Sequence, residues 1–178
     1  MTTNAAPEAI DFADIKAAAS RIAAHALVTP VLQSRSLDAL VDAELLFKCE
    51  NLQRVGAFKF RGACNAIWSL PAAQAARGVV THSSGNHGAA LALAASTRGI
   101  PAHVIVPEGA VRSKVAAIEM YGATLHRCAA TISAREQACE QVREQTGATL
   151  VHPYADARVI AGQGTAAMEL IAQGGPLD

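Results

Sequence analysis

The sequence predicts an α/β fold built on a parallel sheet, and three features of residues 78–152 predict it. Short β-branched runs at 79–82 (VVTH), 103–106 (HVIV), 124–127 (TLHR) and 149–152 (TLVH) alternate with longer helical stretches, a βαβαβαβ order. Gly122 and Gly147 stand where helix C-caps are expected. Residues 89–95 (AALALAA) are apolar nearly all round, as in a helix buried against a sheet. Right-handed crossovers then place the C-terminal ends of all the strands, and any ligand, along one edge.

The flanks supply the remaining elements. Asp11 is an N-cap for a first helix, in which Phe12, Ile15, Ala19, Ile22 and Ala26 recur at helical spacing until Thr29-Pro30 forces extended chain. Residues 44–49 (ELLFKC) read as a short apolar strand, and 51–56 as a polar loop. A second helix runs over 59–70, with Ala63, Ile67 and Leu70 on one face and Pro71 as its stop. Near the end, GQGT (162–165) is followed by a helix over 166–173 closed by Gly174, Gly175 and Pro176. The face made by Met168, Leu170 and Ile171 needs an apolar partner. These readings divide the chain into 1–77, the first part of a larger domain; 78–155, a small and complete α/β domain; and 156–178, the start of a remainder that is truncated.

Composition narrows the function classes. Half of the 178 residues are hydrophobic, enough for a real core, and 15 basic residues balance 15 acidic ones. Bulk charge therefore points to a small ligand, with neither nucleic acid nor a membrane as partner. The opening MTTNAAPEAI lacks a basic and apolar leader pattern, so a cytoplasmic location is expected. Cys49, Cys64, Cys128 and Cys139 form no CxxC pair, and no two histidines have metal-binding spacing, so no metal is expected here.

Two stretches carry chemistry. Lys59 lies between Phe58 and Phe60, two of only four phenylalanines, at a helix start. Apolar neighbours that exclude water disfavour an ammonium and make a nucleophilic amine more available; read alone, the residue is also an ordinary lysine snorkelling from an amphipathic helix. The second stretch is Ser83-Ser84-Gly85-Asn86-His87-Gly88, between a strand and the buried helix. Its glycines let the turn expose backbone N–H groups at a helix N-terminus, a site for a carboxylate or phosphate. It matches neither GxGxxG nor GxxxxGK[ST].

GAFKFRGA and THSSGNHGAALALAA together resemble the serine/threonine dehydratase and serine racemase branch of the fold-type-II pyridoxal-phosphate enzymes, the tryptophan synthase β-like fold. LVTPVLQS, FKCENLQ, GIPAHVIVP, YGAT and VIAGQGT follow in family order, so the resemblance covers residues 12–171. It implies that Lys59 holds pyridoxal 5'-phosphate as a covalent aldimine and moves the substrate Cα proton on one face. Phe58 would pack near the cofactor ring and Asn86 would hydrogen-bond its 3-oxygen. Ser83, Ser84, Gly85, Asn86 and His87 would bind the substrate, chiefly its carboxylate, and Ser84 would act as the opposite acid/base in racemising members. The activity implied is a lyase reaction, elimination of water from a β-hydroxy amino acid to give a 2-keto acid and ammonia. Alternatives on the same scaffold are a serine racemase or a hydroxy-aspartate or aryl-serine eliminase; a further one is a catalytically incompetent chain acting only by association. The family's phosphate loop and divalent-cation site would lie in the part beyond this chain, and the full-length form would be a homodimer. Ala57 and Ala89 depart from the family's serine and glutamine at those places, which bears on substrate preference.

Overall fold

The computed structural model describes residues 9–175 and 177. Four strands, β3 (Val79–Thr81), β4 (Ala102–Pro107), β5 (Thr124–Cys128) and β6 (Thr149–Leu150), pair in parallel in the order β5-β4-β3-β6. The crossovers are α5 (Asn86–Arg98), α6 (Arg112–Met120) and α7 (Ile132–Thr146). Val79, Val80, Val104, Ile105 and Val106 are fully buried, because a sheet covered on both faces admits apolar residues at successive positions rather than alternate ones. Gly147 caps α7 in the left-handed conformation and Gly122 follows α6 with φ +84°, as their sequence positions predict.

The strand order reverses between β3 and β6, the crevice where open parallel sheets bind ligands. The chain leaves β3 into Ser83–His87 and leaves β6 into His152–Tyr154, so both segments meet there.

The flanking elements are α1 (Phe12–Ile22), β1 (Val31–Leu32), α2 (Arg35–Val41), β2 (Phe47–Lys48), α3 (Lys59–Trp68), α4 (Ala72–Ala75) and α8 (Ala157–Gly174). Asp11 caps α1 in a reciprocal box: Asp14 N donates to Asp11 Oδ1 and Asp11 N donates to Asp14 Oδ2, both at 3.0 Å. α1, α3, α5 and α8 pack around one apolar core containing Ile22, Phe60, Ile67, Leu91 and Val159.

Several expected bounds shift. The first helix ends at Ile22 rather than continuing to Ala26, because Ile22 O accepts from both His25 N and Ala26 N as the chain turns. The strand expected at 44–49 shrinks to Phe47–Lys48, limited by its two-residue antiparallel partner β1, while Leu45 N donates to Asp38 Oδ1 (2.9 Å). The largest correction concerns the last helix, expected to begin only after GQGT. Gly162 and Gly164 lie inside α8, which starts at Asp156, whose side chain accepts from Arg158 N. A Cβ on Gly162 would stand 2.6 Å from Arg61 O, and one on Gly62 would stand 2.7 Å from Val159 O. These two glycines are what α3 and α8 need to pack backbone against backbone. Met168 and Leu170 are half-buried and Ile171 is exposed; Pro176 lies outside the described residues.

Candidate active site

Lys59 opens α3 after a turn with unusual backbone. Val55 has φ +57° and Gly56 φ +67°. A β-branched residue in the left-handed region costs about 1–3 kcal/mol and persists only where its surroundings over-determine it. Here Gln53, buried, ties the turn down: its Oε1 accepts from Leu27 N and Arg54 N (both 3.0 Å) and its Nε2 donates to Leu27 O (2.7 Å). The Lys59 side chain then runs into a cleft of about 610 Å³ at the β3/β6 crevice, a volume suited to a small ligand. Its Nζ donates to Pro153 O (3.1 Å) and lies 5.1 Å from the Phe58 ring centroid. Partial burial holds the Lys59 amine below its ordinary pKa, which favours the neutral, nucleophilic form.

The opposite wall is the loop before α5. Gly85 is the N-cap and no side chain caps the helix; among the described residues the N–H groups of Asn86, His87 and Gly88 have no acceptor. Three open donors and the helix dipole are features suited to an anion. A Cβ on Gly88 would collide with the Ser83 carbonyl, so this glycine lets the loop fold back on the helix; a Cβ on Gly85 would meet nothing within 4 Å. Ser83, Ser84, Gly85, Asn86 and His87 all line the cleft with Phe58 and Lys59, so the structure brings every sequence-predicted site residue together.

His87 behaves differently from its neighbours. Its ring is buried and its Nε2 lies 3.4 Å from Val151 O, which makes Nε2 the donor and leaves Nδ1 an acceptor without a partner among the described residues. Burial, only partly offset by the Val151 carbonyl and reinforced by the Lys59 charge, pushes its pKa down to about 4. The neutral ring cannot donate to a carboxylate from Nδ1; what His87 offers an anion is its backbone N–H.

The cleft also holds His82, Lys114, Arg135, Glu136 and Tyr154, which the sequence did not single out. His82 and Tyr154 follow β3 and β6, where strand ends alone point to ligand contact. Lys114 and Arg135 sit in the first turns of α6 and α7 without any local motif. A smaller cavity of about 330 Å³, bordered by Arg21, Asn65 and Arg158, lies away from this chemistry.

These features fit an aldehyde cofactor carried on a lysine: a desolvated primary amine, an aromatic side chain beside it, an amide at Asn86 and an uncapped helix N-terminus facing the same space. Residues 22–178 match the family model described as pyridoxal-phosphate dependent enzyme. The chain is 53% identical over 173 residues to a serine racemase of Arabidopsis thaliana, covering 97% of this chain and 52% of that protein. It is 48% identical over 167 residues to a β-hydroxyaspartate dehydratase of Paracoccus denitrificans (strain Pd 1222), covering 94% and 53%. The crystal structure of serine racemase from Dictyostelium discoideum superposes with a TM-score of 0.92 at 50% identity, over 95% of this chain and 55% of that one. The chain thus spans about half the length of the relatives it matches. With the parallel sheet, the lysine and the loop in place, the chain belongs to the pyridoxal-phosphate-dependent enzymes of fold type II.

Proposed function

We propose that this chain supplies the lysine and the carboxylate-binding loop of an enzyme that moves the Cα proton of a small β-hydroxy amino acid, with racemisation as its leading outcome. The observation that carries the reading is the sharing of one cleft by Lys59 and Ser84 beside an uncapped helix N-terminus. When bound, pyridoxal phosphate withdraws electrons from Cα and so makes its proton removable. Lys59 would hold the cofactor and, as a neutral amine, accept the proton on its own side. The N–H groups of Asn86 to Gly88 would hold the substrate carboxylate, fixing which bonds face each wall. Ser84 Oγ makes no hydrogen bond among the described residues, and from the loop it would deliver a proton to the other face. Phe58 would exclude water at the ring, and the Asn86 amide would face the ring oxygen. The relatives support racemase and hydroxy-aspartate readings over the serine/threonine dehydratase expected from the motifs.

A second reading rests on the cation-rich wall. Lys114 and Arg135 line the cleft against a single acid, Glu136, and the buried Arg135 Nε has no partner among the described residues. That charge suits a second carboxylate, as in a hydroxy-dicarboxylic amino acid, where Arg135→Gln would raise KM for hydroxyaspartate and leave that for serine unchanged. For the leading reading, Ser84→Ala is expected to abolish D-serine formation from L-serine while keto-acid formation persists. Equal loss of both products would remove the two-base arrangement.

A further inference from the structure

Two residues after the cleft lysine, Arg61 is 0% exposed. A buried guanidinium needs its charge and all its N–H groups answered, and here they are. Nε donates to Glu50 Oε2 (2.8 Å); Nη1 donates to Glu169 Oε1 (2.7 Å) and Thr165 Oγ1 (3.3 Å). Nη2 donates to Glu50 Oε1 (2.8 Å), Glu169 Oε2 (2.8 Å) and Leu27 O (3.1 Å). Both carboxylates are therefore gripped by two N–H groups each. Lys48 Nζ completes the charge balance at 2.7 Å from Glu169 Oε2, and Thr29 Oγ1 donates to Glu50 Oε1 (2.6 Å). Burial alone would weaken the charge on Arg61, but the hydrogen bonds and charges of Glu50 and Glu169 outweigh it and raise its pKa above the ordinary value.

The network joins, through one side chain, four parts of the chain that are far apart in sequence. Glu50 precedes the strained Val55–Gly56 turn, Leu27 is also held by Gln53 within that turn, Arg61 is in the first turn of α3, and Glu169 is on α8. α3 itself starts without a side-chain cap at Phe58. Something other than a cap must set the direction in which its first residue points.

We propose that Arg61 is the positioning residue for Lys59: its twofold grip on Glu50 and Glu169 holds the Val55–Gly56 turn and the start of α3 so that the Lys59 amine faces the cleft. The inference rests on the reading of Lys59 as the cofactor-binding lysine, and the planar fork is the essential feature, which a lysine ammonium cannot reproduce.

The test uses pyridoxal phosphate, borohydride reduction and mass spectrometry on the full chain, reading the ratio of Lys59 to Lys16 labelling together with visible circular dichroism of the bound chromophore. Arg61→Lys keeps the charge; thermal melts establish that it is folded. Lys48→Met removes an outer member while leaving the fork intact, and serves as the control for destabilisation alone. The expected result is a roughly 10- to 100-fold fall in the labelling ratio and loss of the visible dichroism in Arg61→Lys, with a far smaller change in Lys48→Met, which leaves the Arg61 contacts to Glu50 and Glu169 in place. Wild-type labelling that favours Lys59, unchanged in folded Arg61→Lys, overturns the proposal alone. Wild-type labelling without preference overturns the reading of Lys59, and this proposal with it. If Arg61→Lys does not fold, Glu169→Gln is read by the same criterion.

Discussion

The cluster around Arg61 and the loop before α5 flank the same lysine and treat their polar groups in opposite ways. At Arg61 every donor is used, and two partly buried acids face two buried cations. At the loop, three backbone N–H groups and the Ser84 hydroxyl are left open toward the cleft. An unanswered charge in the interior is costly, so the first region is complete by itself. Donors that water can reach carry no such penalty and remain available to a ligand. The difference teaches which polar residues hold the fold and which are left open to a ligand.

Substitutions should separate the two regions. The largest effect is expected from Arg61→Met, which leaves the partly buried Glu50 and Glu169 facing each other with no guanidinium between them: a loss of about 3 kcal/mol, read by urea denaturation. A variant as stable as wild type would mean that the two carboxylates reach water freely.

His87 sharpens the comparison, since it belongs to the loop yet its ring packs inward. Its folded pKa of about 4 lies below the ordinary histidine value of 6.5, so the unfolded chain binds the extra proton first. Stability from this group is fully present above pH 6.5 and is lost as pH falls toward 4, on the order of 3 kcal/mol in all. Denaturation at a series of pH values should show a steeper slope in this window in wild type than in His87→Gln, where only the smaller contributions of His103, His126 and His152 remain.

The smallest effect on the fold is expected at Gly85, where an added methyl meets nothing and φ is −109°. Gly85→Ala should shift stability by no more than about 0.5 kcal/mol while weakening capture of pyridoxal phosphate and amino acid at the cleft. A thermal melt paired with a binding titration reads both, and a large fall in stability would place Gly85 with the structural residues instead.

The parallel sheet was legible because four β-branched runs, glycine caps and an all-apolar helix each report local geometry. The cleft was legible through Lys59 and Ser83–His87, which carry the resemblance in two short stretches. Gly162 and Gly164 lie inside α8 rather than before it, since a glycine that permits helix contact looks in sequence like one that bounds a helix. Arg61 was passed over because its partners, Glu50 and Glu169, lie 11 and 108 positions away. Lys114 and Arg135 likewise reach the cleft only through the crossovers, which no local pattern of charge encodes.

Covalent capture by Lys59 in the cleft is tested most directly by mixing the wild-type chain with pyridoxal phosphate, reducing with borohydride and mapping the modified lysine among Lys16, Lys48, Lys59 and Lys114. Labelling concentrated at Lys59, protected by a competing amino acid, is the predicted result. Labelling spread over exposed lysines, with Lys59 no more reactive than Lys16, would contradict it.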